Sequence, residues 1–336
     1  MTNLAGRRIL VTGSAGFIGF HTARRLLQSG ATVFGIDNFT PYYDVSLKEQ
    51  RNAILEDHSG FAVARLSIED AEALDKAWHD FAPDTVIHLA AQAGVRYSID
   101  HPANYVSTNI IGTFHLLELA RQHPVRHFLA ASTSSIYGAN TAMPFTETQA
   151  TQTPMSLYAA TKGATELIGH SYSHLFGIPT TFFRFFTVYG PWGRPDMALF
   201  KFAKAMLNDE PIDVYNHGRM ARDFTYIDDL VSALVALIDT VPDRQARPGD
   251  SLSPVAPFRT VNIGGGSPVP LMRYIAALEA AVGKEARKNF MPIQPGDVPA
   301  TEASPALLRE LTGIVPTTPV EQGVKAFVDW YRSYYA

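Results

Sequence analysis

The chain has 336 residues, 46% of them hydrophobic and 18% charged, enough to bury one large core or two ordinary ones. A net charge of −4 without a polybasic run argues against nucleic acid or an anionic membrane surface as the main partner, and no apolar stretch approaches the length that spans a bilayer. With no cysteine, disulfides, thiolate metal sites and cysteine nucleophiles are excluded.

The first residues, "MTNLAGRRILVTG", carry no apolar signal core and lead straight into a strand, so a cytoplasmic location is expected. "RRILVTG" reads as that strand, and "GFIGFHTARRLLQSG" as a helix stopped by Gly30. "TVFGIDN" is the next strand. "DTVIHLAA" and "HFLAAST" are two more, separated by a long amphipathic pattern over 104–122. Alternating helices and continuously apolar strands predict a parallel sheet covered on both faces, a Rossmann-type doubly wound α/β fold. From Pro179 the order loosens. Strand "TTFFRFF" runs into the turn-rich "TVYGPWGRPDM", then a helical run, then "IDVYNHGRMARDFTYIDD". "VPDRQARPGDSLSPVAPF" holds four prolines and reads as an exposed loop. No internal repeat or low-complexity tract is visible.

The turn "TGSAGFIG" sets Gly13, Gly16 and Gly19 between strand and helix. Gly13 suits a tight turn. Gly16 lets a pyrophosphate approach the backbone at a helix N-terminus, where free N–H groups and the helix dipole favour anions, and Gly19 allows close strand–helix packing. The spacing is GxxGxxG, and a plain glycine-rich turn is the alternative. Asp37 ends the second strand, where a carboxylate can bind adenosine ribose hydroxyls and repel a 2′-phosphate. No arginine follows at once, so NAD is favoured over NADP. Further along, "YAATK" sets Tyr158 and Lys162 on one face of a helix. A tyrosine of ordinary pKa, near 10, is a poor base, and a neighbouring ammonium lowers it. The lysine can also bond a nicotinamide ribose. The same spacing occurs on ordinary exposed helices. His170 and His174, at i and i+4, form a possible metal pair without a suitably spaced third ligand, so no metal is expected.

"TGSAGFIG", "HLAAQAG", "STSSIYG" and "YAATK", in this order, resemble the extended short-chain dehydrogenase/reductases. "IDNFTPYYDVSLKEQR", "SLYAATKGATE", "RFFTVYGPWGRPDMALF", "GRMARDFTYIDD" and "QPGDVPAT" more narrowly resemble the UDP-glucuronate 4-epimerases of bacterial polysaccharide pathways, over nearly the whole chain. The resemblance implies a tightly held NAD in a Rossmann domain over 1–178 with a returning segment at about 223–240, a smaller α/β nucleotide-sugar domain over 179–222 and 241–336, a cleft between the two, and homodimers through the helices at about 104–122 and 156–176. It implies a catalytic set of Thr133, Tyr158 and Lys162. The implied cofactor contacts are Gly13, Gly16, Phe17, Ile18, Gly19, Asp37, Asn38, Ser67, Ile68, Leu89, Ala90 and Ala91, together with Tyr158 and Lys162. At Ser67 relatives usually carry an acid for the adenine amino group, so that contact is expected to weaken.

Four hydroxyl residues in succession, Ser132–Ser135, close strand "HFLAAST". Relatives that eliminate water or lose carbon dioxide after sugar oxidation carry acids where Ser134 and Ser135 stand. Neutral hydroxyls there remove a proton carrier and can donate to a substrate carboxylate. Thr187 and the guanidinium fork of Arg194 are candidates for the same carboxylate, with a surface loop arginine as the plainer reading of Arg194. By resemblance Arg222 binds the diphosphate and Asp297 the uridine ribose. Gln294 and Arg96 complete the expected substrate contacts. The activity implied is interconversion of UDP-glucuronate and UDP-galacturonate through a 4-keto sugar. A 4-epimerase of neutral UDP-hexoses and a silent NAD-binding sensor are the alternatives.

Overall fold

The computed structural model describes residues 3–243, 245, 247, 249–294 and 296–335. Its centre is a parallel sheet of seven strands: β1 (Arg8–Thr12), β2 (Thr32–Asp37), β3 (Phe61–Arg65), β4 (Thr85–His88), β5 (His127–Thr133), β6 (Thr180–Phe185) and a last strand, Phe258–Ile263. Across the sheet they run β3-β2-β1-β4-β5-β6 and then Phe258–Ile263, all neighbours parallel. The order reverses between β1 and β4. A doubly wound sheet opens its ligand crevice at such a reversal, at the carboxyl ends of the strands.

The strands are buried on both faces, which is why they read as unbroken apolar runs. Side chains alternate between two cores. Ile9, Val11, Leu129 and Ala131 face one core with Phe20 and Leu26 of α1 (Phe17–Gln28) and Leu230 and Leu234 of helix Ile227–Leu237. Leu10, Phe128 and Ala130 face the other, with Trp78 of α3 (Ala71–Phe81) and Leu116 of helix Gly112–Gln122.

A separate core gathers Phe200, Tyr274, Phe327 and Tyr331 from helices Ala198–Leu207, Leu271–Val282 and Val320–Tyr335. The expected boundary at 178 does not coincide with the edge of the sheet. Of the strands expected in the smaller domain, β6 pairs in register with β5, and strand Phe258–Ile263 with β6. Their side chains are buried at every position, and only a sheet covered on both faces accommodates that. Of the proline-rich segment before the last strand, residues 244, 246 and 248 lie outside the described residues.

The amphipathic pattern at 104–122 is not one regular helix. Helix Gly112–Gln122 is preceded by a π-helical turn, Val106–Ile111. Asn109 in that turn is fully buried, donates to the Gln92 carbonyl and to Thr161 Oγ1 at 3.1 Å each, and accepts from the Gln92 N–H at 2.8 Å. π-helical turns favour functional sites, and this one ties the β4 loop to helix Leu157–Phe176. Ser156 caps that helix through the Ala159 N–H at 3.1 Å.

Candidate functional site

The crevice at the β1–β4 reversal is built by backbone contacts that leave no room for side chains. Gly13 has φ +73°, and a Cβ there would lie 2.8 Å from the Ala90 nitrogen. A Cβ on Gly19 would sit 1.9 Å from the Gly13 carbonyl oxygen, so α1 docks onto the turn only because position 19 is glycine. Gly16 caps α1 in extended backbone, which leaves the first helical N–H groups facing the crevice. The β4 end is locked beside β1 by a hydroxyl–imidazole chain. Thr12 Oγ1 accepts from the N–H groups of Leu89 and Ala90, at 3.2 and 3.1 Å, and donates to His88 Nδ1 at 2.7 Å. His88 Nε2 then donates to Thr113 Oγ1 at 3.0 Å, and Thr113 to the Asn109 carbonyl at 2.5 Å. Burial pushes the His88 pKa down to about 3, so the ring stays neutral and the chain of donors keeps one direction.

One elongated cleft gathers almost every residue expected to hold the cofactor. Gly13, Gly16, Phe17, Ile18 and Gly19 line its middle, and Asp37 and Asn38 one end. Ile68, Leu89, Ala90 and Ala91 form a wall, and Tyr158 and Lys162 lie at the far end. Asp37 Oδ2 accepts from the Ala15 N–H at 3.1 Å and Oδ1 from the Phe39 N–H at 2.8 Å. Ser67 is the exception. Its hydroxyl donates to the Glu69 carboxylate, which also accepts from Thr108 at 2.6 Å, and Ser67 does not line the cleft. A carboxylate for a ribose, a glycine-lined helix N-terminus for a pyrophosphate and a Tyr–Lys pair for a nicotinamide riboside, spaced along one cleft, fit NAD.

Tyr158 and Lys162 share one helix face, as their spacing predicts, yet the electrostatics differ from expectation. Burial raises the Tyr158 pKa; the neighbouring Thr133 hydroxyl and the charge of Arg194 pull against that rise. A cation opposing that rise is Arg194. Burial also lowers the Lys162 pKa to about 8, with Glu166 opposing. Glu166, one turn on, is already clasped by Arg184 at 2.7 and 3.0 Å, so the Lys162 ammonium is buried at 2% exposure without its own ion pair. Thr133 ends β5 and caps a single turn, Ser134–Tyr137, by accepting from the Ser135 N–H at 3.2 Å. Ser134 and Ser135 lie half-buried in that turn, and Ser135 Oγ accepts from the Thr133 hydroxyl at 3.2 Å. Ser132, not among the expected residues, lines the same cleft with a buried hydroxyl that has no partner among the described residues.

Arg194 lines both the nucleotide cleft and a second cavity, which Thr187 and Phe200 also line. Its Nε and Nη2 edge holds Asp196 at 3.0 and 2.5 Å, and Tyr42 donates to the same carboxylate at 3.1 Å. The fork expected to be open for a substrate carboxylate is therefore committed on one edge. Aspartate two residues along is simply the nearest anion to a buried guanidinium. Arg96 and Arg222 come together around Asp297. Arg96 Nη2 meets Asp297 Oδ2 at 3.1 Å, and Arg222 donates to the carbonyls of Ala221 and Pro299 at 2.9 and 3.2 Å with Asp297 acting on its charge. The Gln294 carbonyl oxygen is buried without a partner among the described residues, while its backbone accepts from the Asp297 N–H at 3.2 Å.

His170 and His174 are spoken for by Ser253 and the Val255 carbonyl, at 2.8 Å each. Outside the cleft, Asp75, His79 and His123 bring three potential ligand atoms within 4.8 Å of one another. His79 Nδ1 is bonded to the Asp75 carbonyl at 3.0 Å, and the His79 and His123 rings meet edge to face at 4.3 Å. No helix among the described residues is long and apolar enough to cross a membrane.

Residues 9–253 match the NAD dependent epimerase/dehydratase family. The chain is 55% identical over 333 residues to a probable UDP-glucuronate 4-epimerase of Rhizobium meliloti, covering 98% of each. It is 46% identical over 336 residues to UDP-glucuronate 4-epimerase 4 of Arabidopsis thaliana, covering 98% of this chain and 76% of that one. Among solved structures it resembles the UDP-glucuronic acid 4-epimerase of Bacillus cereus in complex with UDP-glucuronic acid and NAD, with a TM-score of 0.88 and 36% identity over 97% of this chain and 99% of that one.

Proposed function

The chain belongs to the NAD dependent epimerase/dehydratase family, and from that membership we propose that it interconverts UDP-glucuronate and UDP-galacturonate. The observation that carries the proposal is that Thr133 and Arg194 both act on Tyr158, and that Arg194 lines both the nucleotide cleft and the second cavity. Bound NAD supplies a reversible hydride acceptor for C4 of the sugar. Tyr158, as phenolate, takes the proton from the C4 hydroxyl and later returns it. Thr133 orients that hydroxyl, and the Arg194 and Lys162 charges favour the phenolate. Arg96, Arg222 and Asp297 anchor the nucleotide half, so the sugar turns while the diphosphate stays fixed and C4 is reduced on its other face.

The 4-keto uronate is a β-keto acid prone to losing carbon dioxide. Ser134, Ser135, Thr187 and the Nη1 edge of Arg194 hold its carboxylate away from the geometry of that loss. No carboxylate in the Ser132–Ser135 run supplies a proton for the competing chemistry. Because Asp196 neutralises one edge of Arg194, a 4-epimerase of neutral UDP-hexoses is the second reading, and one experiment separates them. Purified protein is incubated with UDP-glucuronate or UDP-glucose, without added NAD, and the products are separated. UDP-galacturonate as the dominant product supports the proposal. Equal or better turnover of UDP-glucose favours the second reading, and no turnover of either leaves a binding protein. In Arg194→Ala, turnover of the uronate is expected to fall more than that of the hexose, with leakage of a decarboxylated UDP-pentose.

The working form we propose is a cytoplasmic homodimer. Val106, Ile111 and Phe114 on one segment, and Leu167, Leu175 and Phe176 on helix Leu157–Phe176, are 39–76% exposed. A cluster of large apolar side chains on two adjoining helical segments is what a self-complementary interface covers. Leu167→Lys is expected to shift the protein to monomer in size-exclusion chromatography with light scattering. An unchanged dimer would place the interface elsewhere.

A further inference from the structure

Arg51 is not among the residues expected in the site, yet it is fully buried and holds the loop that carries Arg194. It lies in α2 (Ser46–Glu56). Its Nη1 donates to the Ala15 carbonyl at 3.0 Å and to the Tyr43 hydroxyl at 2.9 Å. Its Nη2 donates to the carbonyls of Trp192 and Gly193, at 2.5 and 3.3 Å. From α1, His21 Nε2 donates to the Pro191 carbonyl at 3.0 Å. Burial drives the His21 pKa down to about 3, so this ring bonds the loop as a neutral donor. Three carbonyls in succession, those of residues 191–193, are thus held by α1 and α2 immediately before Arg194. Trp192 among them has φ +62°, a left-handed backbone that a bulky residue keeps only where its surroundings impose it. Its ring is walled by Phe20, Trp330 and Tyr334, at 5.2–5.5 Å between centroids.

A buried guanidinium whose hydrogen-bond partners are all uncharged carries a desolvation penalty that an apolar side chain of similar size does not. Its two ends join parts that the reaction needs in register. Ala15 lies in the glycine turn between Gly13 and Gly16, and its N–H bonds Asp37. Trp192 and Gly193 set the start of Arg194, which lines both the nucleotide cleft and the second cavity. A guanidinium is planar and rigid, so it fixes both contacts at one spacing, whereas an ammonium is a single point of charge. We propose that Arg51 is a positioning residue for Arg194, tying its loop to the glycine turn so that the Arg194 guanidinium meets the sugar carboxylate while the nicotinamide faces C4. His21 supports the same loop from α1. With the loop released, the carboxylate of the 4-keto sugar is free to align with the carbonyl. Its bond to C5 then breaks, carbon dioxide leaves, and the electron pair passes to the 4-keto oxygen as an enolate. The enolate takes a proton from water at C5, and hydride return to C4 completes a UDP-pentose.

The inference rests on the uronate reading, and its test uses two ratios that do not depend on how much of a variant is folded. One is the affinity for UDP-glucuronate relative to UDP-glucose, by titration of the holoenzyme. The other is the share of UDP-pentose among the products from UDP-glucuronate. Arg51→Met is expected to lower the affinity ratio about ten- to a hundredfold, as loss of a charge-assisted hydrogen bond at the carboxylate does, and to release pentose. Arg51→Lys, which keeps the charge but not the fork, should lose less. His21→Leu should move both ratios the same way by a smaller amount. NAD counted after denaturation shows that each variant is loaded. NAD-loaded Arg51 variants with an affinity ratio within about twofold of the unaltered protein, and no pentose, overturn the proposal and leave Arg51 a part of the fold. If neither Arg51 variant folds, His21→Leu decides on the same two ratios. Failure of the unaltered protein to epimerise UDP-glucuronate removes the uronate reading, and the inference with it; epimerisation with unmoved ratios in the variants removes the inference alone.

Discussion

Tyr158 sets the terms at the scale of single residues. Its phenol is held by burial in the protonated form, and the groups that oppose this come from β5 and from the loop bearing Arg194. Tyr158→Phe removes the proton carrier and keeps the ring, so epimerisation should fall at least about a hundredfold while bound NAD stays. Near-normal turnover in that variant would remove Tyr158 from the mechanism. Lys162 shows the cost of the same site. Its pKa is lowered by burial to about 8, so between pH 8 and 10.4 the unfolded chain keeps a proton that the folded chain releases. Stability at this residue is therefore lowest below pH 8 and rises with pH across that window. Lys162→Met should raise the melting temperature at pH 7 by a few degrees and flatten the rise above pH 8, while epimerisation is lost. A variant that melts lower at pH 7 would show that Lys162 supports the fold instead.

At the scale of elements, the first turn and α1 act as one unit. Gly19 lets the helix start against the Gly13 carbonyl, and the N–H groups freed there face the cleft. Gly19→Ala puts a methyl group 1.9 Å from that oxygen, and backbone on both sides prevents an easy escape. The expected cost is at least about 2 kcal/mol, at the upper part of the range for overpacking, with NAD lost on purification. Thermal melting and the nucleotide content of the purified variant check both effects, and a stable variant with full NAD content would contradict them. This much of the site was legible in the sequence, because the glycine spacing and the strand end at Asp37 are local features. The approach of Lys48 to Asp37 was not legible, because only the path of residues 38–45 brings that lysine, on helix Ser46–Glu56, back beside the carboxylate. The commitment of Arg194 to Asp196 and Tyr42 was likewise hidden, since Tyr42 is far away in the chain.

The whole molecule carries three imidazoles buried as neutral groups in its hydrogen-bond frame. Burial lowers the pKa values of His21, His88 and His127 to about 3, 3 and 4. Between pH 6.5 and 4 the unfolded chain binds protons that the folded chain refuses, so stability is full above this window and falls as pH drops through it. Three such groups steepen the fall to as much as about 4 kcal/mol per pH unit near pH 5. Melting curves from pH 7.5 to 4.5 should show this acid loss, and His88→Gln should shallow it by about a third. A melting temperature independent of pH across that range would mean that the rings titrate in place.

The sequence by itself determined the doubly wound parallel sheet, the glycine turn, the Asp37 strand end and the Tyr158–Lys162 helix face. Each of these depends on periodicity or spacing within one or two elements, and such short-range geometry is the same wherever the element lies. Tertiary structure alone decided the rest. It drew β6 and strand Phe258–Ile263 into the main sheet, turned Ser67 toward Glu69, and spent one edge of Arg194 on Asp196. It also brought the charge of Arg194 to bear on Tyr158. Charges and hydrogen bonds act through space between groups whose partners are distant in the chain, and a buried polar group takes whichever partner the fold brings nearest.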